Sequence, residues 1–225
     1  MLENYFGGLD FGTSGVRITI INKKKDIIYS SSNTDGYELN KPKSWILICE
    51  ALLSDIPYEI KQRLKRISVS GTSGTLLACQ INGNAIGDAI PYNEICDKNK
   101  QRLKRLAGQN EFLNNPFSGL AKALKLIDMY GKDILLRHQS DWISGWLMNN
   151  WSYGEEGNNI KLGWNIINNS WPKSFSLNSW HNGLPKIKKS GLILGFINKK
   201  LVQKLNLHAK LLICLLYTSD AADDC

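Results

Sequence analysis

The feature that most constrains this chain is the stretch LDFGTSGVR at residues 9–17, continued by the apolar run VRITII. An acidic residue, Asp10, closes a first strand. A small-residue turn of Gly12, Thr13, Ser14 and Gly15 follows, and a second strand leaves with Val16, Ile18 and Ile20 at every second position. Alternation with period two makes the turn a strand-to-strand connection, not a strand-to-helix one. Glycines let the main chain approach a ligand closely, and successive N–H groups with hydroxyls form a concave anion site. A carboxylate at the lip of such a turn can hold Mg²⁺ through water or orient a nucleophile, and Arg17 can add positive charge for a phosphate. The lysine of a G-x-x-x-x-G-K-[ST] loop is absent, and a G-x-G-x-x-G pattern is not matched. The residue types alone leave a plain hairpin turn open beside the phosphate reading.

The rest of the chain excludes several classes. Of 225 residues, 43% are hydrophobic and 21% charged, the composition of a globular domain. No apolar run is long enough to span a membrane. The N-terminal MLENYFGGLDFG has neither the basic nor the apolar region of a secretory signal, so a cytoplasmic location is expected. The five cysteines form no C-x-x-C pair and read as free thiols in a reducing compartment. His138, His181 and His208 lie too far apart to suggest a metal site. The net charge of +8 comes from dispersed lysines and arginines with no interleaved aromatic stripe. Solvated faces, not a nucleic-acid surface, are therefore expected, and the basic balance favours anionic ligands.

In order, the pattern predicts strands over 5–10, 16–21 and 26–31, with a turn at 22–25. A helix opening at Lys43 or Ser44 follows, with Trp45, Ile46, Ile48, Leu52 and Leu53 on its apolar face. A second amphipathic piece over 57–65 leads to a strand at 67–70. GTSGT at 71–75 is a second small-residue corner at a strand end, where open α/β sheets place ligands, before a resumed strand at 76–81. A glycine hairpin remains the alternative there. Helices are expected over 97–107, 118–131 and 139–150, with Asp141 either favouring the helix N-terminus or touching a ligand. Residues 151–182, rich in Asn, Ser and Trp, read as an irregular covering layer whose tryptophans require burial. No repeat or linker divides residues 1–213, which read as one domain.

LDFGTSGVR resembles the first phosphate motif of the FGGY carbohydrate kinases, members of the actin-like, sugar-kinase and heat-shock ATPase superfamily. ISVSGTSGTLL (67–77), IPYNE (90–94), SGLAKALKL (118–126), HQSDWISGWL (138–147), NNIKLGWN (158–165) and WP (171–172) fall in that family's order and spacing. They are most similar to its plant and cyanobacterial branch of D-ribulose or xylulose kinases, over about residues 5–213. The resemblance implies an α/β fold, the actin-like (ribonuclease H-like) N-terminal domain of a two-domain sugar kinase. It also implies ATP and Mg²⁺ as cofactors and a ketopentose as substrate, D-ribulose first and D-xylulose next, with no nucleic-acid or membrane partner. By resemblance, Asp10 serves the metal and the sugar. Gly12, Thr13 and Ser14 line the phosphate turn and Arg17 supports the charge. Ser73 and Gly74 meet the sugar, with Thr72 behind them and Asn93 nearby. Asn93–Glu94 stands where the family has Asn-Asp, so the glutamate is a departure. A non-catalytic sugar- or nucleotide-binding relative is the alternative.

The chain's last residues do not continue the family pattern. Where relatives carry a glycine- and threonine-containing turn and a catalytic aspartate, residues 214–225 read CLLYTSDAADDC, which resembles the in-frame translation of a transposase adapter used in DNA library preparation. This tail is set aside as no part of a domain, and Asp220 as a chance imitation of the catalytic aspartate. On this reading, the chain is an inactive N-terminal fragment whose catalytic base and second domain are missing.

Overall fold

The computed structural model describes residues 3–216. Three strands open the chain: β1 (Tyr5–Phe11), β2 (Val16–Ile21) and β3 (Ile27–Asn33), each antiparallel to the next. Leu9, Phe11, Val16, Ile18 and Ile20 point into the core, as their alternation predicts. The β2–β3 turn is closed by the Asn22 side chain, whose Oδ1 accepts from the N–H groups of Lys24 (2.9 Å) and Asp26 (3.0 Å). Helix α1 (Pro42–Asp55) starts one residue before the predicted Lys43, because Pro42 itself takes the first helical turn. It lays Trp45, Ile48, Cys49, Leu52 and Leu53 on the sheet. After α2 (Tyr58–Arg63), strand β4 (Leu64–Ser70) runs parallel to β1.

Strand β5 (Leu76–Cys79) is shorter than predicted. The Gly83 N–H bonds Gln80 O (2.8 Å), with Gly83 at φ +83°, and this turn ends the strand early. Helices α3 (Lys100–Ala107) and α4 (Gly119–Tyr130) follow, the latter capped by the Ser118 hydroxyl accepting from the Ala121 N–H (3.1 Å). The remaining elements are β6 (Leu135–His138), α5 (Gln139–Met148), β7 (Tyr153–Glu155), α6 (Glu156–Ile160), α7 (Lys173–Ser176), β8 (Lys186–Lys188), β9 (Ile193–Phe196), α8 (Lys199–Leu205) and β10 (Leu212–Cys214). The expected irregular layer at 151–182 thus holds short elements. Its tryptophans do bury, Trp151 and Trp180 fully and Trp164 and Trp171 in part.

The main sheet has the order β3-β2-β1-β4-β10-β9, with β10 parallel to β4 and β9 antiparallel to β10. A second, antiparallel pair, β5–β6, lies off this sheet, and β7–β8 form a parallel pair. Two apolar cores result. One fills the space between the main sheet, α1, α5 and α8; the other gathers α3, α4 and the Phe175–Trp180 region. Strand β5 belongs to both: Leu77 and Cys79 enter the first core, and Leu76 and Ala78 the second. Cys214 ends β10, and hydrogen bonds to residues 191–192 hold the two residues after it. The Leu215 N–H bonds Leu192 O (2.9 Å), and Cys214 and Leu215 are buried. Asp220 lies outside the described residues. Among those residues, no helix is long and apolar enough to cross a membrane.

Candidate functional site

Parallel pairing of β1 and β4 brings the two small-residue corners together. Asp10 stands opposite Arg17 on one side and Ser70 on the other, so residues 12–15 and 71–75 leave the same edge of the sheet from neighbouring strands. The first turn is closed by the Gly12 N–H donating to Gly15 O (2.9 Å). Gly15 has no room for a side chain, since a Cβ would lie 2.7 Å from Thr34 Cγ2 and 2.9 Å from Asn33 O. Asp10, Thr13, Ser14 and Arg17 are exposed around this turn, with Gly12 half-buried. Two parallel strands ending side by side, each in a glycine corner, form the crevice at which open α/β sheets bind ligands.

A directional chain of hydrogen bonds couples the corners. The Tyr92 N–H donates to Thr75 Oγ1 (3.2 Å), and the Thr75 and Thr72 hydroxyls are 2.7 Å apart. Thr72 Oγ1 and the Thr72 N–H both donate to Gln139 Oε1 (2.9 Å each), which fixes the orientation of that amide. Gln139 Nε2 donates to Tyr37 Oη (3.2 Å), and Tyr37 Oη donates to Gly12 O (2.8 Å). With Tyr92 N–H as the first donor and Gly12 O as the final acceptor, each hydroxyl in between accepts once and donates once. Gln139 is fully buried at the start of α5. Gly71 permits the approach, because a Cβ there would sit 3.0 Å from Gln139 Oε1. Burial raises the Tyr37 pKa, and the nearby Asp10 carboxylate pushes it the same way, so its hydroxyl stays a donor. The Thr72 hydroxyl is thereby spent inside the protein.

Ser73 and Gly74 line a cavity of about 160 Å³ with Tyr92, Phe112, Asn115, Phe117, Ser118 and Lys161. Gly74 takes φ +91°, a conformation that favours glycine. Tyr92, Phe112 and Phe117 offer exposed apolar faces, while Lys161 and Asn115 offer polar groups. Aromatic walls with a few polar groups are the usual lining of a small-molecule site. Asn93 is exposed one residue beyond Tyr92 and is not in this lining. Glu94 forms an ion pair with Lys125. Below the cavity, the fully buried Lys122 donates to the carbonyls of Tyr92 (3.1 Å) and Phe117. Burial, with Lys161 adding repulsion, pulls its pKa down to about 8. Sequence reasoning missed Tyr92, Gln139 and Lys161 as site residues. All three lie within the quoted motifs, but their side chains reach the crevice only through tertiary packing.

Asp141 is fully buried, and its two oxygens accept from the Glu155 N–H and Asn159 Nδ2 (2.9 Å each). These bonds make it a scaffold residue that ties α5 to β7 and α6. Its carboxyl nevertheless borders a cavity of about 60 Å³ that also reaches Ser70, Gly71 and Ser73. Burial pushes its pKa up to about 7, against the pull of those two hydrogen bonds. At the N-cap of α5, His138 is buried with Nδ1 3.3 Å from Thr75 O and Nε2 without a partner among the described residues. Burial drives its pKa down to about 4, so the ring is neutral in the folded chain.

Among the described residues, no cluster of three or more His, Cys, Asp or Glu side chains could hold a metal ion by itself. Asp10, a lone exposed carboxylate beside a turn of N–H groups and hydroxyls, fits Mg²⁺ only as a partner to ligand oxygens. Mg²⁺ commonly binds this way, with one carboxylate, waters and substrate phosphates.

No protein-family model matches the chain. A xylulose kinase of Staphylococcus xylosus is 31% identical over 121 residues, 48% of this chain and 24% of the relative. A xylulose kinase of Lactococcus lactis is 28% identical over 116 residues, 47% of this chain and 23% of the relative. Each match thus spans about a quarter of the curated relative. Among solved structures, Plasmodium falciparum glycerol kinase with ADP superposes with a TM-score of 0.77 at 15% identity, covering 95% of this chain and 48% of that one. In its sheet order, its paired corners and these matches, the chain is similar to the FGGY carbohydrate kinases and has the fold of their N-terminal domain.

Proposed function

We propose that this chain is the N-terminal, sugar-binding half of a pentulose kinase that transfers the γ-phosphoryl group of ATP to a hydroxyl of a ketopentose. The observation that carries the reading is the placement of the two glycine corners on adjacent parallel strands, with Asp10 between Arg17 and Ser70. In the reaction, the bond between the γ-phosphorus and its bridging oxygen breaks, a bond to the sugar oxygen forms, and ADP leaves with the bridging oxygen. The hydroxyl proton passes to a carboxylate that follows β10 in the complete protein. Gly12, Thr13 and Ser14 hold phosphate oxygens with their N–H groups and hydroxyls, and Arg17 supplies positive charge. Asp10 orients the sugar hydroxyl and is the residue that would share Mg²⁺ with the nucleotide, an ion that neutralises phosphate charge. Ser73 and Gly74 meet the sugar, Thr72 supports them, and Asn93 stands at the rim.

D-ribulose is the first substrate in this proposal, because the motifs are most similar to that branch of the family. D-xylulose is the second, favoured by the names of both curated relatives. Residues 214–225 are proposed to be adapter-derived, and the 225-residue chain to be inactive. Sequencing the source DNA past the codon for Ile213 tests the adapter origin: a frame that continues into a further domain supports it, and a genomic stop after Cys225 overturns it. ATP- and D-ribulose-dependent ADP release by the 225-residue chain would overturn its inactivity. The complete protein then phosphorylates D-ribulose or D-xylulose with ATP and Mg²⁺, and Asp10→Ala lowers kcat by about a hundredfold or more. Undiminished turnover in Asp10→Ala would overturn the assignment.

A further inference from the structure

An unassigned polar recess of about 410 Å³ lies at the far end of the β5–β6 pair from the glycine corners. Its place follows from α5. Gln139 and Asp141 begin that helix at the candidate site, whereas Asn149 and Asn150, just past its end, line this cavity. Ten residues at a 1.5 Å rise put the two regions about 15 Å apart. Arg137 forms part of the wall and is itself 98% buried, with a relative exposure of only 2%. Its Nε donates to Trp151 O (2.6 Å), and its Nη1 donates to Leu136 O and Gly183 O (2.7 Å each). Among the described residues, Nη2 makes no further hydrogen bond and no carboxylate forms an ion pair with the guanidinium. Lys186 brings a second, exposed cation to the same cavity, and Asn82, Asn149, Asn150 and Asn182 bring amides.

Among the described residues, no acidic side chain lines this space. The C-terminus of α5 adds a partial negative charge, but its last carbonyls already accept from the Asn149 and Asn150 N–H groups. A helix end is worth about half a charge, and the buried Asp141 carboxyl also attracts Arg137 from outside the lining, against two positive groups in the wall. Amides that both donate and accept suit hydroxyl groups, and Leu135, Leu184 and Trp151 offer apolar faces to a carbon skeleton. We propose that this cavity is a second ligand site, which binds a small hydroxylated phosphate ester such as a sugar phosphate, with Arg137 Nη2 and Lys186 taking the phosphate.

The test is calorimetric titration of the 225-residue chain with ribose 5-phosphate, inorganic phosphate and ribose. Saturable binding is expected for ribose 5-phosphate, weaker binding for phosphate and none for ribose. Lys186→Glu, an exposed change on β8, is expected to weaken ribose 5-phosphate by about tenfold or more, by replacing attraction with repulsion. Arg137→Lys is expected to abolish it. Arg17→Glu, at the glycine corners, is expected to leave it unchanged. Absence of saturable binding overturns the proposal, as does binding lost in Arg17→Glu but intact in Lys186→Glu, which would place the ligand in the crevice instead. Equal affinity for inorganic phosphate and ribose 5-phosphate would overturn the assignment of the sugar contacts.

Discussion

At the scale of single residues, Gln139 stands out because it holds both corners through one amide. Gln139→Leu leaves the Thr72 N–H and hydroxyl and the Tyr37 hydroxyl without their partner in a buried setting. The expected loss is about 1–3 kcal/mol of stability by chemical denaturation, with faster amide exchange at Gly12 and Thr72. Tyr37→Phe should speed exchange near Gly12 and spare Thr72, because it cuts only the last link. His138 and Asp141 carry opposite pH dependences. The depressed His138 pKa means the unfolded chain binds the extra proton first, so its contribution is full above about 6.5 and is lost as the pH falls towards 4. The raised Asp141 pKa works the other way: the folded chain holds the proton longer, and stability falls as the pH rises from 3.8 to about 7. The two windows overlap, so the slopes oppose one another in the parent chain. His138→Phe is expected to gain about 3 kcal/mol relative to the parent between pH 6.5 and 4, measured by urea denaturation at each pH. A pH-independent difference would overturn the buried neutral ring.

At the scale of elements, what the sequence made legible were the segments whose own pattern decides them. β2 alternates cleanly, α4 has a serine cap and an apolar stripe, and the residue-12–15 turn has only small side chains. The elements that escaped are those whose partners are distant in sequence. β9 is held by pairing with β10, and β6 by pairing with β5. α8, with Asn198 accepting from the Lys200 N–H (3.0 Å), is short and lysine-rich, and only Leu201 and Leu205 bury to anchor it. The candidate site divides the same way. Asp10, the glycines and Arg17 are local, whereas the aromatic walls around Ser73 come from two separate loops and Lys161 from a third segment. Gly119 shows how one such contact depends on a missing side chain: a Cβ there would lie 2.7 Å from Lys161 O. Gly119→Ala should therefore push the start of α4 away from residues 161–162, costing about 1–3 kcal/mol, although alanine is the better helix former. A stabilised Gly119→Ala variant would show that the contact is loose.

At the scale of the whole molecule, the apolar surface is uneven. Leu192, Ile193 and Phe196 on and beside edge strand β9, with Leu216 nearby, are all substantially exposed. An exposed apolar strand edge invites pairing with another chain. In isolation the chain should self-associate with rising concentration, and Ile193→Lys with Phe196→Lys should return it to a monomer by sedimentation velocity. The shared strand β5 has a different consequence. Because its alternate side chains are rooted in both cores, neither core can open while the other keeps β5 in place. Hydrogen exchange should then report the same opening free energy for α1 and α4, which lie in different cores, and thermal melting should show one transition. The four residues of β5 would act as a rivet that makes two packing units lose their structure in a single step.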